Sequence, residues 1–393
     1  MSLTLDLTSA EVVADPYPFY AQAREQAPVH WHEGLSMWLT FTHAATNAAL
    51  RDRSLGRIWK ARYPGMPAFT LIHVNSLLEN EPPIHTRLRR LVAGAFARGH
   101  VERLRPRVAE LAGALADRVA ELGSDGSPVD LIAEYAEPLP VQVIAELLGV
   151  PASDWHLLRP WSNAIVKMYE YDISSERQAQ AEQASAEFVA YLRDLVAERR
   201  KHPGEDLMSS LLAEHDAGDR LTEDELVTTC TLLLNAGHEA TVNVVGNGVT
   251  ALLKHPEQYE ALVPELIPNA VEELIRYDSP LQLFERTAHT DTEIGAITVE
   301  QGQKIAVLLG AANRDPAVFD SPDTFDVARR DNPHLGFGAG IHFCVGAPLA
   351  RLELQTSLAT LRSRFPKLAL AAEPPRRPEF VIRGVSSLPV SIK

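Results

Sequence analysis

The chain has 393 residues, 46% of them apolar, and a formal charge of −15. That length and apolar content suffice for a large buried core, while the acidic balance argues against nucleic acid or an anionic membrane surface as a partner. Two cysteines, Cys230 and Cys344, exclude a disulfide framework and suit a reducing cytoplasm.

In chain order, the opening MSLTLDLTSAEVVADPYPFY has no basic start followed by an apolar run, so no signal peptide or anchor is expected. No later segment reaches the ~18 consecutive apolar residues of a membrane span. PVHWHEGLSMWLTFT reads as strands near 28–42. Helical periodicity then dominates, over 84–98, 101–122, 129–148, 153–170, 174–202, 222–254, 256–278 and 347–365. Further strand-like pieces fall near 282–300, including TEIGAITVE, and at 380–393, ending in LPVSIK. EPPRRPEF at 373–380 reads as a turn. No repeat or linker divides the chain. The expectation is one domain over 1–393, mainly α with a small β region.

The helix over 222–254 carries the first chemical signal. Thr222 and Glu225 form a capping box, and His255-Pro256 ends it, giving roughly 45 Å at 1.5 Å per residue. Its centre, NAGHEATVN (235–243), places an acid among small residues. A zinc protease helix needs a second histidine one turn after the first; from His238 that position is Val242, so zinc is excluded. Gly246 and Gly248 suit close helix packing. The small residues at 236–241 suggest a flat group against the helix.

The second signal is HLGFGAGIHFCVGAPLARLELQ (334–355), where Gly338, Gly340 and Gly346 bracket Cys344 ahead of a helix that begins near Pro348. A helix N-terminus favours a thiolate. A free thiol with a pKa of about 8.5 is little ionised at neutral pH, so metal binding must supply the rest. One cysteine cannot build a zinc or iron–sulfur site, but it can be the single protein ligand of a haem iron. Cys230 reads as a buried structural residue.

FGAGIHFCVG resembles the haem-binding loop of the cytochrome P-450 family, F-x-x-G-x-[RH]-x-C-x-G, through Phe337, Gly340, His342, Cys344 and Gly346. Four more segments resemble family motifs in the family's order: HTRLR with His85 and Arg89, AGHEAT, EELIR with Glu273 and Arg276, and PDTFDVARR (322–330). The resemblance runs from about residue 16 to the end and is similar to soluble bacterial members. It implies a long central helix over a buried haem b (iron protoporphyrin IX).

The resemblance also implies roles. Cys344 would ligate iron, with Phe337, Gly338 and Gly346 shaping the loop. His85, Arg89, Arg286 and His342 would neutralise the two haem propionates. Glu273 and Arg276 would fasten the fold behind the loop. Glu239 would relay protons to dioxygen. The family follows that acid with threonine, whereas this chain has Ala240 there and Thr241 one residue later, turned by about 100°. A substrate hydroxyl, an ordered water, a distorted helix or peroxide could substitute. His238 is expected to face a neighbouring helix. Substrate-pocket candidates are Trp161, Met168, Leu233, Leu283, Phe284 and Val385, mostly of core type, for which packing is an equally good account.

Three functions follow. The first is a haem-thiolate monooxygenase that inserts one atom of O2 into an apolar or partly polar small molecule. The second is a peroxide-driven oxygenase on the same scaffold, and the third a haem-binding sensor without turnover. The first needs an external ferredoxin or flavodoxin-type electron donor with its reductase. Seven arginines and one glutamate between 87 and 107 offer a docking face, with Arg87 and Arg90 pointing away from Arg89.

Overall fold

The computed structural model describes residues 5–58, 63–216 and 221–393. Helices dominate, and the organising one is Glu223–Lys254, the central helix, of 32 residues or roughly 48 Å. Both halves of its capping box form: Glu225 N–H donates to Thr222 Oγ1 at 3.1 Å, and Thr222 N–H to the Glu225 carboxylate at 2.8 Å. Its glycines set how closely neighbours approach. A Cβ on Gly248 would lie 2.8 Å from Leu274, and one on Gly246 would lie 2.8 Å from Ile132, so both positions are packing sites. Helices Pro138–Leu148, Trp155–Val166, Ser175–Lys201, Ile267–Tyr277 and Ala347–Arg364 gather round it.

Several expected helices are interrupted, most of them at a glycine or proline. The stretch 84–98 stops at Ala93, before Gly94, and restarts at Arg98. The stretch 129–148 opens as a short strand, Val129–Asp130, passes through a π-helical turn at Ile132–Ala136 and begins its helix at Pro138. The stretch 256–278 divides into Pro256–Glu260 and Ile267–Tyr277, each opening on a proline in its first turn. The stretch 153–170 ends its α-helix at Val166 and finishes as a 3-10 turn, Lys167–Tyr169. Helices Tyr17–Gln26, His43–Arg51, Pro67–Val74 and Leu207–Asp216 had no expected counterpart; each is short and weakly patterned.

The principal sheet has five strands. Val29–His32 pairs antiparallel with Met37–Thr40, which runs parallel to Lys304–Leu308. Leu283–Ala288 follows antiparallel, then the edge strand Leu55–Gly56. Along Leu283–Ala288 the side chains alternate. Leu283 therefore enters the core formed with Leu7, Tyr20 and Phe41, while Phe284 and Arg286 take the other face. A second sheet joins Val129–Asp130, Pro389–Ser391 and Ala369–Leu370, so the chain's tail is tied to its helical half.

Candidate active site

The loop before helix Ala347–Arg364 is closed by Cys344 N–H donating to the Phe337 carbonyl at 2.9 Å. Gly338 and Gly340 adopt φ of +69° and +71°, where a side chain is disfavoured. A Cβ at Gly340 would also lie 2.5 Å from the Leu50 carbonyl. Gly346 serves differently: its Cβ would meet only Cys344 Sγ, at 3.9 Å, so its bare side adjoins the sulfur. The N–H groups of Gly346 and Ala347 face that sulfur, and Arg89 and Arg351 lie nearby. Burial outweighs them and raises the thiol above its ordinary range. Cys344 nonetheless keeps an exposed side chain, as a residue deep in the molecule does when it lines a cleft. Cys230 is buried, and desolvation pushes its thiol up to about 12.

The loop is braced from behind. The Arg351 guanidinium lies 4.4 Å from the Phe337 ring centre and donates twice to Glu272, at 2.6 and 2.8 Å. His334 Nε2 lies 2.9 Å from the same carboxylate. Burial opposes its ionisation, but these partners hold Glu272 down to about 2.

One residue further on, Glu273 and Arg276 are wholly buried and bonded twice, at 2.7 Å each. Arg276 also donates to the carbonyls of Asn313, Pro322 and Thr324, and Glu273 accepts from Asp326 N–H, Arg329 and Asn332. This is a clamp on the 313–332 segment, far stronger than a surface i,i+3 pair. Arg329 is a third charged member that motif reading left unassigned.

A cationic cluster stands beside the cysteine loop. The His85 and His342 rings lie 4.4 Å apart, and His342 Nε2 sits 2.9 Å from Glu81. His85 Nε2 is buried without a partner. Burial, then the charges of His342 and Arg89, lowers His85 to about 4. Arg286 is 2% exposed, and among the described residues its guanidinium has no carboxylate within ion-pair distance. Burial and the neighbouring Arg57 bring Arg286 down to about 9. Arg57, paired with Glu79, stacks on Phe284. Arg57, Glu79 and Glu81 were not expected; nothing local marks them, because three chain segments must meet to form the cluster. Arg89 is half-buried and donates to the Phe343 carbonyl at 2.8 Å.

The central helix is buried on nearly every side at its midpoint, yet Ala236 and Ala240, one turn apart, are exposed. Gly237, which was expected to share that bare surface, faces Ile144 instead: a Cβ there would lie 3.3 Å from that side chain. The helix runs unbroken from Glu223 to Lys254, which lends the distorted-helix alternative no support. Thr241 is buried, and its Oγ1 donates to the Gly237 carbonyl at 3.1 Å. Glu239 is 6% exposed; its Oε1 accepts from Arg377 at 2.6 Å and Oε2 has no partner. His238 is fully buried, both ring nitrogens lack partners, and burial lowers it to about 4. Arg377 lies in the stretch read only as a turn.

Of the pocket candidates, Trp161 is misplaced: it stacks on Phe188 and donates to Glu187 on the outer side of two packed helices. Leu283 belongs to the sheet's opposite core, Val385 packs against Gly246, and Met168 is buried in the main core. Packing explains all three. Leu233 is buried but shares the helix face of Ala240, seven residues on, and Phe284 is half-buried beside Arg57 and Arg286. The proposed docking arginines also change meaning. Arg87 pairs with Glu225, Arg105 with Glu102, and Arg107 with Glu146, so much of that charge is neutralised internally.

These residues suit haem. A lone buried guanidinium and a buried imidazole nitrogen call for anions, a thiol sits in a cleft under two N–H groups, and a bare alanine face offers an apolar surface. The chain matches the Cytochrome P450 family model over residues 140–267 and 264–391. It is 42% identical to Cytochrome P450 107B1 of Saccharopolyspora erythraea, covering 96% of this chain and 95% of that one. It is 40% identical to the 6-deoxyerythronolide B hydroxylase of the same organism, over 100% of both. The crystal structure of P450BioI with an acylated acyl carrier protein superposes with a TM-score of 0.91 at 36% identity, over 98% of this chain and 100% of that one. The chain belongs to the cytochrome P450 family: it is a monooxygenase whose cofactor is haem b.

Proposed function

We propose that Cys344 is the iron ligand, that His85, Arg89, Arg286 and His342 hold the haem propionates, and that Glu239 delivers protons for activation of O2. A thiolate-bound haem supplies the electron density that favours O–O cleavage. The chain's own task is to hold that group, exclude bulk water and supply protons on time. The observation that carries the reading is Glu239: a buried carboxylate one residue from the exposed Ala240, with one oxygen committed to Arg377 and the other unpartnered. A sensor without turnover has no use for such a group.

Because Ala240 donates no hydrogen bond and Thr241 is engaged elsewhere, the missing donor comes from outside the helix. A hydroxyl on the substrate, or a water it orders, supplies it. The substrate is then a small organic molecule, partly polar at the oxidised end. Leu233 and Phe284 remain the supported lining candidates. Electrons come from a ferredoxin or flavodoxin-type protein and its reductase, met through the face that carries the exposed Arg98 rather than through Arg87, which pairs with Glu225. No helix among the described residues is long and apolar enough to cross a membrane. We read 1–393 as one domain acting in the cytoplasm.

Turnover tests this. Product formation that needs an electron donor and O2, with loss of the thiolate-type absorption of the reduced carbon monoxide adduct in Cys344→Ser, is the expected result. Oxidation driven by peroxide alone would establish the second reading, which the bare Ala240 favours. Equal turnover by Glu239→Gln would remove the proton role.

A further inference from the structure

Glu239 belongs to a chain of charges that proton donation by itself does not require. Arg377 reaches it from the 373–380 segment, Nη1 donating to Oε1 at 2.6 Å. The other terminal nitrogen of Arg377, Nη2, lies 3.6 Å from Oε1 of Glu137. Glu137, just before Pro138, is buried and paired through Oε2 with Arg159 at 2.5 Å. The Arg159 side chain is 49% exposed. Acid and base thus alternate from the surface to the residue beside Ala240. Arg377 thus stands between two buried carboxylates, within ion-pair reach of both.

The two ends of that bracket differ in a useful way. The longer contact exceeds the shorter by 1.0 Å, from 3.6 and 2.6 Å, a step within reach of a flexible arginine side chain. The Arg377 backbone is fixed, its N–H donating to the Gly384 carbonyl at 3.0 Å, so only the side chain need move. Glu239 Oε2 has no hydrogen bond, its neighbour His238 Nδ1 lying 3.8 Å away, and Asn243 Nδ2 makes only a long bond of 3.5 Å to Oε1. Burial raises Glu137, Arg159 and Arg377 lower it, and Glu239 and Asp130 raise it, so Glu137 interacts with Glu239 as well as with the arginine between them. The groups facing them are His238 on the central helix, Arg159, Arg377 and Asp130.

Resting on the reading of Glu239 as proton donor, we propose that Arg377 is a positioning residue that moves between Glu239 and Glu137. It parks Glu239 as a carboxylate and releases it when Glu239 takes a proton. The step balances simply. One proton passes from solvent to Glu239, whose neutral carboxyl no longer holds the guanidinium. Arg377, cationic throughout, closes on the Glu137 carboxylate. Glu239 gives up its proton at the Ala240 face and, again an anion, recaptures Arg377.

The test uses the haem-loaded enzyme with its electron donor, comparing Glu137→Gln, Arg377→Met, Arg377→Lys, Glu239→Gln and the Glu137→Gln/Arg377→Met double variant. Denying Arg377 its second partner should lower kcat in Glu137→Gln by about tenfold, a part of the usual general-acid contribution, with KM unchanged and a larger solvent deuterium isotope effect. The double variant should be no worse than Arg377→Met, and Arg377→Lys should recover part of the loss. Infrared spectra of glutamate-labelled protein give an independent readout. Arg377→Met should add a protonated-carboxyl band at neutral pH that the further change Glu239→Gln removes. If Glu239→Gln is impaired while Glu137→Gln matches the parent and Arg377→Met adds no band, the switch is wrong and the proton role stands. If Glu239→Gln itself turns over normally, both fall.

Discussion

Two buried charge networks, one around Glu273 and Arg276 and one around Glu239, are built differently. Around Glu273 and Arg276, each carboxylate oxygen and each guanidinium nitrogen is bonded, several of them twice. Around Glu239, one carboxylate oxygen, both His238 nitrogens and the Asn243 carbonyl oxygen have no partner. Both carboxylates are buried and both face guanidinium groups, but they differ in how fully they are bonded. A fully satisfied network has one arrangement and rigidifies what it touches, whereas a partly satisfied one costs stability and retains alternatives. The first braces the segment that runs into the cysteine loop. The second surrounds the acid proposed to deliver protons.

The contrast breaks most visibly at Glu273. Glu273→Ala strands a buried guanidinium, and an expected loss of about 3–5 kcal/mol in denaturant unfolding should come with failure to retain haem. Glu239→Gln should do the reverse, lowering kcat by about 100-fold, or about 2.7 kcal/mol, while unfolding free energy and haem content change little. Should the two variants behave alike, the distinction between clamp and working site is lost.

Acid sharpens the comparison. Glu272 is held near 2, well below its ordinary 4.5. Its folded form binds the proton less readily than the unfolded chain, so its contribution is complete above about pH 4.5 and is lost as pH falls toward 2. That contribution is about 2–3 kcal/mol, and Glu272→Gln should flatten the acid limb of a stability–pH curve by that amount. At the small end stands Arg87→Ala. Its pair with Glu225 is partly exposed, so a cost of about 1 kcal/mol or less is expected. Its rate of reduction by an electron donor should match the parent's. A marked drop would restore Arg87 to the docking face.

Much of the cysteine side was legible because its signals are local. Gly338 and Gly340 are needed for their own backbone angles, and Glu273 and Arg276 meet within one helix turn. Arg377, Glu137, Arg57 and Glu81 were invisible for the opposite reason. Arg377 is 138 residues from Glu239 in the chain, and its segment reads as a proline-rich turn. Core-type residues were ambiguous too: Leu283 and Phe284 are neighbours in sequence, and only the sheet's alternation sends one into the core and the other toward the arginines.

The order of residues by itself determined the long capped helix, the glycine-framed cysteine and the acid without its threonine, since each depends on neighbours within a turn or a loop. Which alanines face the cleft, that Thr241 turns away to the Gly237 carbonyl, and that one guanidinium stands between two acids were decided by packing alone. Those facts depend on how segments far apart in the chain exclude one another from the same space, and no short-range pattern encodes that.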